Sequence, residues 1–139
     1  MAAPVQTVWD ILADFGAISA WAKNVDHSCI LERAPDGALG MSRRVQVGRN
    51  ALVEKITEYA APTMLAYDIE GLPQRLRRVA NRWSLTATTL GGTSVTLTST
   101  VEVGDNPLAR IAEYLVCRVM ARQSDTMLTG LAKKAERTT

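Results

Sequence analysis

Apolar residues recur with a helical period at both ends of the chain and with a strand period between them. At the N-terminus the spacing predicts a helix from Pro4 to Phe15, which Gly16 ends, and a second short helix over residues 17–23. The helical period returns from Asn106 to about Ala135, with Asn106 as the predicted N-cap. Its apolar stripe comprises Leu108, Ile111, Ala112, Leu115, Val116, Val119, Met120, Met127 and Leu131. We therefore expect one long C-terminal helix, roughly 40 Å in length, that covers a sheet.

Alternating apolar and polar residues in the middle of the chain predict six β-strands. The predicted strands are Cys29–Arg33, Ser42–Val47, Leu52–Tyr59, Met64–Glu70, Val79–Thr88 and Ser94–Val103. The short turn-forming clusters between them favour antiparallel neighbours, because parallel strands need long crossover connections. The order of elements indicates an α+β fold class and one domain over residues 1–139.

A carboxylate and an arginine fall together on a predicted inward face of the sheet. If residues 48–50 form a three-residue hairpin loop, Arg44 stands opposite Glu54, on the face that also carries Ser42 and Gln46. Unpartnered buried polar groups cost about 1 to 3 kcal/mol each, so this face is expected to border a wet cavity. The pair is either a structural ion pair or a catalytic one, with Glu54 as general acid or base.

The candidate ligand site is a cavity between the sheet and the long helix. Its predicted ligand-binding residues are Tyr67, Asn81, Trp83, Ser99, Met120, Gln123 and Met127. A structural hydrogen bond is an equally good interpretation of Tyr67 and Asn81, and Trp83 suits a packed core as well as a cavity wall.

Composition narrows the classes of function. The chain has 139 residues and a formal net charge of +2, which does not indicate a nucleic-acid partner. His27 has no companion for a metal site, and Cys29 and Cys117 are predicted to be buried, unpaired thiols. No long apolar run predicts insertion into a membrane, and no signal pattern follows Met1, so we expect a cytoplasmic protein without a metal or cofactor.

Four arginines lie just before and within the fifth predicted strand, and they form the strongest concentration of charge in the sequence. They are Arg75, Arg77, Arg78 and Arg82. This cluster is either a solvated hairpin end or a guide for an anionic partner or ligand head group.

Six pieces of the chain stand in an order and spacing typical of one known family. They are Pro4–Phe15, Trp21, Gly40–Arg44, Val53–Ile56, Leu65–Tyr67 and Gly92–Thr96. Together they resemble the polyketide cyclase/dehydrase (SRPBCC) branch of the START-related, Bet v 1-like superfamily. The resemblance implies a helix-grip fold, in which a curved antiparallel sheet wraps a long C-terminal helix around an internal cavity.

For function, the resemblance implies binding of a hydrophobic or amphipathic small molecule that is lipid-like or polyketide-like. A polyketide cyclase, aromatase or dehydratase with acid-base groups in the cavity is the alternative, and a protein-interaction module is a third.

The resemblance also implies a β-strand before the first helix, paired with the strand at residues 94–103. The residues before Pro4 leave no room for that strand, so residues 94–103 are expected to form an exposed edge. Either the true start of the protein lies upstream, or a symmetric partner covers this edge in a homodimer.

Overall fold

A computed structural model describes residues 1–35, 37–71, 76–103 and 107–138. The side chains of residues 76–77, 103, 107–113 and 116 are outside this description, as are the predicted N-cap Asn106 and Arg75 of the arginine cluster. The helices are α1 (Val5–Ala13), a 3₁₀ helix (Phe15–Ala20) and α2 (Pro107–Thr138). The strands are β1 (His27–Glu32), β2 (Ser42–Val47), β3 (Asn50–Ala60), β4 (Met64–Glu70), β5 (Leu76–Ala87) and β6 (Thr93–Val103).

The six strands form one antiparallel sheet in the order β1-β2-β3-β4-β5-β6. The curved sheet, the long C-terminal helix and the two short N-terminal helices confirm the predicted helix-grip fold. The predicted inward faces of β4 and β5 are also confirmed, because Leu65, Tyr67, Trp83 and Leu85 are all buried. Alternation along each strand was enough to identify these faces.

The register between β2 and β3 differs by one residue from the predicted one. The hairpin loop has two residues, Gly48 and Arg49, and Gly48 adopts a φ of 59° that suits the first position of such a loop. This register pairs Arg43, not Arg44, with Glu54. A slip of one residue exchanges the two faces of a strand, so Arg44 is exposed and donates to Gln46 at 2.9 Å. The predicted pair of Arg44 and Glu54 is therefore wrong.

Three aromatic contacts attach the N-terminal helices to the sheet. The rings of Trp9 and Tyr59 lie 5.2 Å apart, those of Phe15 and Tyr67 5.6 Å, and those of Trp21 and Trp83 6.0 Å, all edge to face. Such pairs contribute about 0.5 to 1.5 kcal/mol each beyond the burial of their surface. These contacts place the aromatic part of the core between the sheet and the two N-terminal helices.

The two halves of α2 differ in their packing. Met127 and Leu131 are buried in the core, as predicted for the stripe, and Ala135 is buried beside them. Leu115 and Val119 belong to the same predicted stripe, yet their exposed fractions are 58% and 56%, so the prediction is wrong for this half. The side chains of the stripe's residues 108, 111, 112 and 116 lie outside the description.

Both cysteines are exposed, which contradicts their predicted burial. Cys29 lies on the face of β1 that does not meet the helices, where its register partner is the exposed Arg44. Cys117 lies on the exposed half of α2. Both thiols occupy positions whose neighbours suggested an apolar environment that the tertiary packing does not provide.

The last strand, β6, stands at one end of the sheet order. Its first residue is paired, because the Met1 amino group donates to the Thr93 carbonyl at 2.8 Å and the Thr93 N–H donates to the Met1 carbonyl at 2.9 Å. The Thr93 hydroxyl also donates to the Ala3 carbonyl at 2.7 Å. The N-terminal residues thus pair with the beginning of this edge.

Candidate functional site

A small cavity of about 50 Å³ lies between the middle of α2 and strands β2 to β5. Its polar lining residues are Asn24, Glu54, Asn81, Gln123 and Ser124. Its apolar lining residues include Ile18, Val25, Val45, Leu52, Met120 and Met127. Apolar walls with a few convergent polar groups are typical of a ligand pocket.

Glu54 is held in this cavity wall by Arg43. The Arg43 Nε and Nη2 atoms both lie 2.7 Å from Glu54 Oε1, and both side chains are almost fully buried. Arg43 also donates from Nη1 to the Phe15 carbonyl at 2.8 Å, and its guanidinium lies 3.7 Å from the Phe15 ring centroid. The described residues bond Glu54 only at Oε1, so its other carboxylate oxygen is the one available to a group in the cavity.

Behind Glu54, a chain of polar groups crosses the sheet to α2. Tyr67 accepts hydrogen bonds at its hydroxyl from Asn81 Nδ2 at 3.4 Å and Trp83 Nε1 at 3.3 Å. The Ser99 hydroxyl donates to Asn81 Oδ1 at 2.6 Å, and lies 3.5 Å from the Ser124 hydroxyl. Each buried polar atom in this chain gains a partner, as a stable interior requires.

The phenol of Tyr67 stays neutral in this setting. Burial raises the pKa of Tyr67 above its usual value, because the phenolate would lose its hydration, and the nearby Glu54 carboxylate raises it further. The Arg43 guanidinium and the two donated hydrogen bonds oppose this rise. Tyr67 is therefore a hydrogen-bonding phenol at neutral pH and not a base.

One acceptor on the cavity wall has no partner. Asn24 Oδ1 is buried and accepts no hydrogen bond from any described protein group. An unpaired buried carbonyl costs about 1 to 3 kcal/mol, so this oxygen favours a donor placed in the cavity. Asn24 and Glu54 thus both belong to the lining of the same small cavity.

The structure separates the predicted site residues into three groups. Glu54, Asn81, Met120, Gln123 and Met127 line the cavity. Tyr67, Trp83 and Ser99 are not among its lining residues and lie behind them in the polar chain. Arg44 lies on the opposite face of the sheet.

Sequence reasoning missed Arg43, Asn24 and Ser124. Arg43 was assigned to the outer face by the wrong register, although a two-residue loop beginning at Gly48 was an equally simple interpretation. Ser124 lies four residues from Met120 and three from Met127, which is the helical spacing that identifies a shared face. The position of Asn24, in an irregular segment before β1, had no periodic signal.

The described part of the chain shows no cluster of three or more potential metal-ligating His, Cys, Asp or Glu side chains. None of its described helices is both long enough and apolar enough to cross a bilayer.

Comparisons with known proteins agree with this architecture. The profile of the family described as polyketide cyclase / dehydrase and lipid transport matches residues 1–136. No curated protein matches the chain.

Three solved structures illustrate the shared fold. The Zhui aromatase/cyclase from Streptomyces sp. R1128 is 20% identical over 98% of this chain and 88% of its own, with a TM-score of 0.80. A START superfamily protein from Mycobacterium smegmatis is 18% identical over 100% of this chain and 94% of its own, with a TM-score of 0.79. The di-domain ARO/CYC StfQ from the steffimycin biosynthetic pathway is 16% identical over 99% of this chain and 48% of its own, with a TM-score of 0.77.

Proposed function

The chain belongs to the polyketide cyclase/dehydrase and lipid transport family, and we propose that it binds a small amphipathic molecule between the sheet and the first half of α2. The polar end of this molecule meets Glu54 and Asn24, and its apolar part lies along Met120 and Met127. The observation that carries the proposal is the cavity wall itself, on which the Glu54 carboxylate and the unpartnered Asn24 amide stand among mainly apolar side chains.

The chemistry of the wall specifies the polar end of the ligand. Glu54 and Asn24 offer oxygen acceptors, so the matching groups are hydroxyl or amide donors or a protonated acid. The Gln123 amide and the Ser124 hydroxyl add donors from the helix side, which accommodates a carbonyl or carboxyl oxygen. A hydroxylated or carboxylated molecule with a long or aromatic apolar part fits this set.

The size of the cavity requires α2 to move when such a ligand binds. About 50 Å³ accommodates a few water-sized groups, whereas sites for drug-sized ligands have about 300 to 1,000 Å³. The first half of α2 is the wall that gives way, because its described side chains from Tyr114 to Thr126 are exposed or half-buried. Segments with few buried contacts open at the lowest free-energy cost.

Methionine methyl groups provide a direct test. In protein carrying ¹³C-methyl methionine, titration with dodecanoate, which is expected to enter the cavity as the neutral acid that can donate to Glu54, should shift the NMR signals of Met120 and Met127. Met1 and Met64 lie outside the cavity lining and serve as internal controls. Equal shifts at all four methyls, or no shift at Met120 and Met127, would contradict the proposal.

A matched pair of variants sharpens this test. Ser124→Leu places a larger apolar side chain in the cavity wall and is expected to weaken dodecanoate binding by about tenfold or more, as a blocked site should. Thr129→Leu makes a comparable change on the exposed side of α2 and is expected to leave the affinity unchanged.

Catalysis of a cyclase or dehydratase type is a second candidate function, favoured by the carboxylate that faces the cavity. In this interpretation Glu54 moves a proton of the ligand, and Arg43 keeps the carboxylate oriented. Glu54→Gln is expected to retain binding and to lower turnover of a poly-β-ketone substrate by about 100-fold. Unchanged turnover by the folded variant would leave binding as the function.

A homodimer through residues 94–103 remains our proposal for the edge of the sheet. Met1 pairs with β6 only at Thr93, and the strand continues to Val103. Unpaired strand edges favour pairing with a second chain. Light scattering is expected to give the mass of a dimer, and a monomer at dilute concentration would contradict this proposal.

A further inference from the structure

The first half of α2 presents apolar side chains to solvent on the face opposite the cavity. Tyr114, Leu115 and Val119 have exposed fractions of 61%, 58% and 56%. Helical positions advance by about 100°, which places Leu115 about 140° to 180° around the helix from Met120 and Ser124, Val119 about 100° to 140°, and Tyr114 about 80° to 120°. This segment is thus apolar toward solvent and partly polar toward the protein, which is the reverse of an ordinary surface helix.

Two arginines flank these apolar side chains. Leu115, Arg118, Val119 and Arg122 line a shallow, almost wholly apolar groove of about 280 Å³. The Arg118 guanidinium lies 5.8 Å from the centre of the Tyr114 ring. We name these five residues, Tyr114, Leu115, Arg118, Val119 and Arg122, the outer patch.

The exposed Asp125 lies one helical turn from Arg122 and offsets part of the positive charge of the outer patch, but it forms no ion pair with either arginine. Neither Arg118 nor Arg122 forms an ion pair with a described residue. In contrast, Arg78 pairs with Asp68 at 3.2 Å, and Arg82 pairs with Glu58 at 3.0 Å, although all four side chains are substantially exposed. The arginines of the outer patch therefore keep their capacity to bind an external anion.

We propose that the outer patch docks the protein on the surface of a bilayer that contains anionic lipids. Leucine, valine and tyrosine side chains suit the boundary between head groups and acyl chains, and arginines beside them reach the lipid phosphates. The patch offers only three apolar side chains, so the contact is shallow and reversible. Anionic lipids attract each nearby cation further.

The charge of the patch argues against a second copy of the chain as its occupant. A two-fold dimer brings the same surface of both copies together, so it would place the arginines of one patch against those of the other. Two arginines from each copy would then face each other with only one carboxylate, Asp125, beside each pair, and this excess of like charge opposes such an interface. An anionic surface complements both arginines at once.

Docking of this kind has a direct use if the proposed function is correct, and in this respect the inference rests on it. Amphipathic ligands partition into bilayers, and the outer patch lies on the same helix segment whose inner face lines the cavity. Docking brings the movable wall of the cavity to the reservoir of ligand. Movement of this wall at the membrane then opens a path for the ligand between the bilayer and the cavity.

Vesicle flotation tests the docking itself. The full chain is expected to float with vesicles of equal parts phosphatidylcholine and phosphatidylglycerol, to float less at high salt, and to stay in solution with phosphatidylcholine alone. Leu115→Ser with Val119→Ser is expected to lower partition by about tenfold or more. Arg118→Gln with Arg122→Gln is expected to remove the preference for the anionic vesicles.

The matched control alters an exposed leucine and an exposed arginine elsewhere. Leu90, with 96% exposure, and Arg49 both lie outside α2, and Leu90→Ser with Arg49→Gln is expected to float like the wild type. Hydrogen exchange gives a readout independent of variants, because the amides of residues 114–122 should become more protected when anionic vesicles are added.

Three results would overturn the docking proposal. The first is that the protein does not float with the anionic vesicles. The second is that the control and patch variants lose flotation equally, and the third is that hydrogen-exchange protection on adding vesicles does not include residues 114–122. A dimer in vesicle-free solution that Leu115→Ser with Val119→Ser converts to a monomer would also overturn it, in favour of a second copy. The dodecanoate titration in vesicle-free solution reports on the proposed function alone, so the two failures are distinguishable.

Discussion

The two halves of α2 use the same helix in opposite ways. From Met127 to its end, the helix buries Leu131 and Ala135 under α1 and exposes Lys133 and Lys134, as an amphipathic helix on a core does. From Tyr114 to Thr126 it turns Gln123 and Ser124 toward the cavity beside Met120, and leaves Leu115 and Val119 exposed to solvent. The first arrangement anchors the helix, whereas the second leaves a wall that contacts a ligand on one side and an external surface on the other.

The difference follows from what lies beneath each half. The C-terminal half packs against α1 and the backbone at Trp21, and Leu131 and Ala135 are fully buried there. The other half lies over Glu54 and Asn81, whose buried polar atoms require partners such as Ser99 and Ser124. An apolar surface beneath the helix favours an apolar helix face, whereas a surface with buried polar groups favours a face that mixes polar and apolar side chains.

Loss of Arg43 is expected to have the largest effect, because this side chain joins the anchored region to the cavity. Arg43→Met leaves the Glu54 carboxylate buried without its partner, which should destabilise the protein by about 3 to 5 kcal/mol. Urea denaturation measures this. Arg44→Met is the matched control, with a change within about 0.5 kcal/mol. A larger effect at Arg44 than at Arg43 would contradict the observed register.

Replacing a leucine by alanine in each half of α2 compares how much the two halves contribute to stability. Leu131 is fully buried, so Leu131→Ala should lower the free energy of unfolding by about 2 to 5 kcal/mol. Leu115 is exposed, so Leu115→Ala should lower it by less than about 0.5 kcal/mol. Chemical denaturation of both variants gives the two values. Similar costs would show that the first half is packed as firmly as the second, and the movable wall would then be excluded.

A methyl group at position 130 tests the anchored half alone. A Cβ atom there would clash with the backbone carbonyl of Trp21, so Gly130 permits the close approach of α2 to the residue that follows the 3₁₀ helix. Gly130→Ala is expected to destabilise by about 1 to 3 kcal/mol, even though alanine is the better helix former. Thr129→Ala should be nearly neutral. A stabilised Gly130→Ala protein would mean that this contact is loose.

The smallest effect concerns alkaline pH and the polar chain behind the cavity. The folded protein holds Tyr67 neutral above the pH at which the unfolded chain ionises, so stability is expected to fall as pH rises beyond about 10. Denaturation measured from neutral to alkaline pH should show this fall, and Tyr67→Phe should reduce it. Tyr114→Phe is the control at an exposed tyrosine. An unchanged slope in Tyr67→Phe would contradict the raised pKa.

Alternation and helical period predicted most of the fold. The strands Ser42–Val47 and Met64–Glu70 have the predicted bounds, and Glu54 and Asn81 lie on the inward faces that alternation assigned to them. These features depend on residues close together in the chain, where the period of each element directly reports its buried face.

The candidate site was only partly predictable, because its geometry depends on single-residue shifts and on long-range packing. One residue less in the hairpin loop at Gly48 replaced Arg44 by Arg43 as the partner of Glu54. The unpartnered carbonyl of Asn24 exists only because a segment far from α2 in sequence comes to lie beneath it. Neither feature produces a periodic pattern in the sequence.

By itself, the sequence determined the order and type of the elements, the inward faces of the central strands and the presence of polar groups among them. The tertiary structure alone decided that α2 is anchored by one half, that its apolar residues Leu115 and Val119 face solvent, and that the cavity is only about 50 Å³. The physical reason is that local periodicity records which side chains can be buried, whereas their actual burial depends on the surface that the rest of the chain places opposite them.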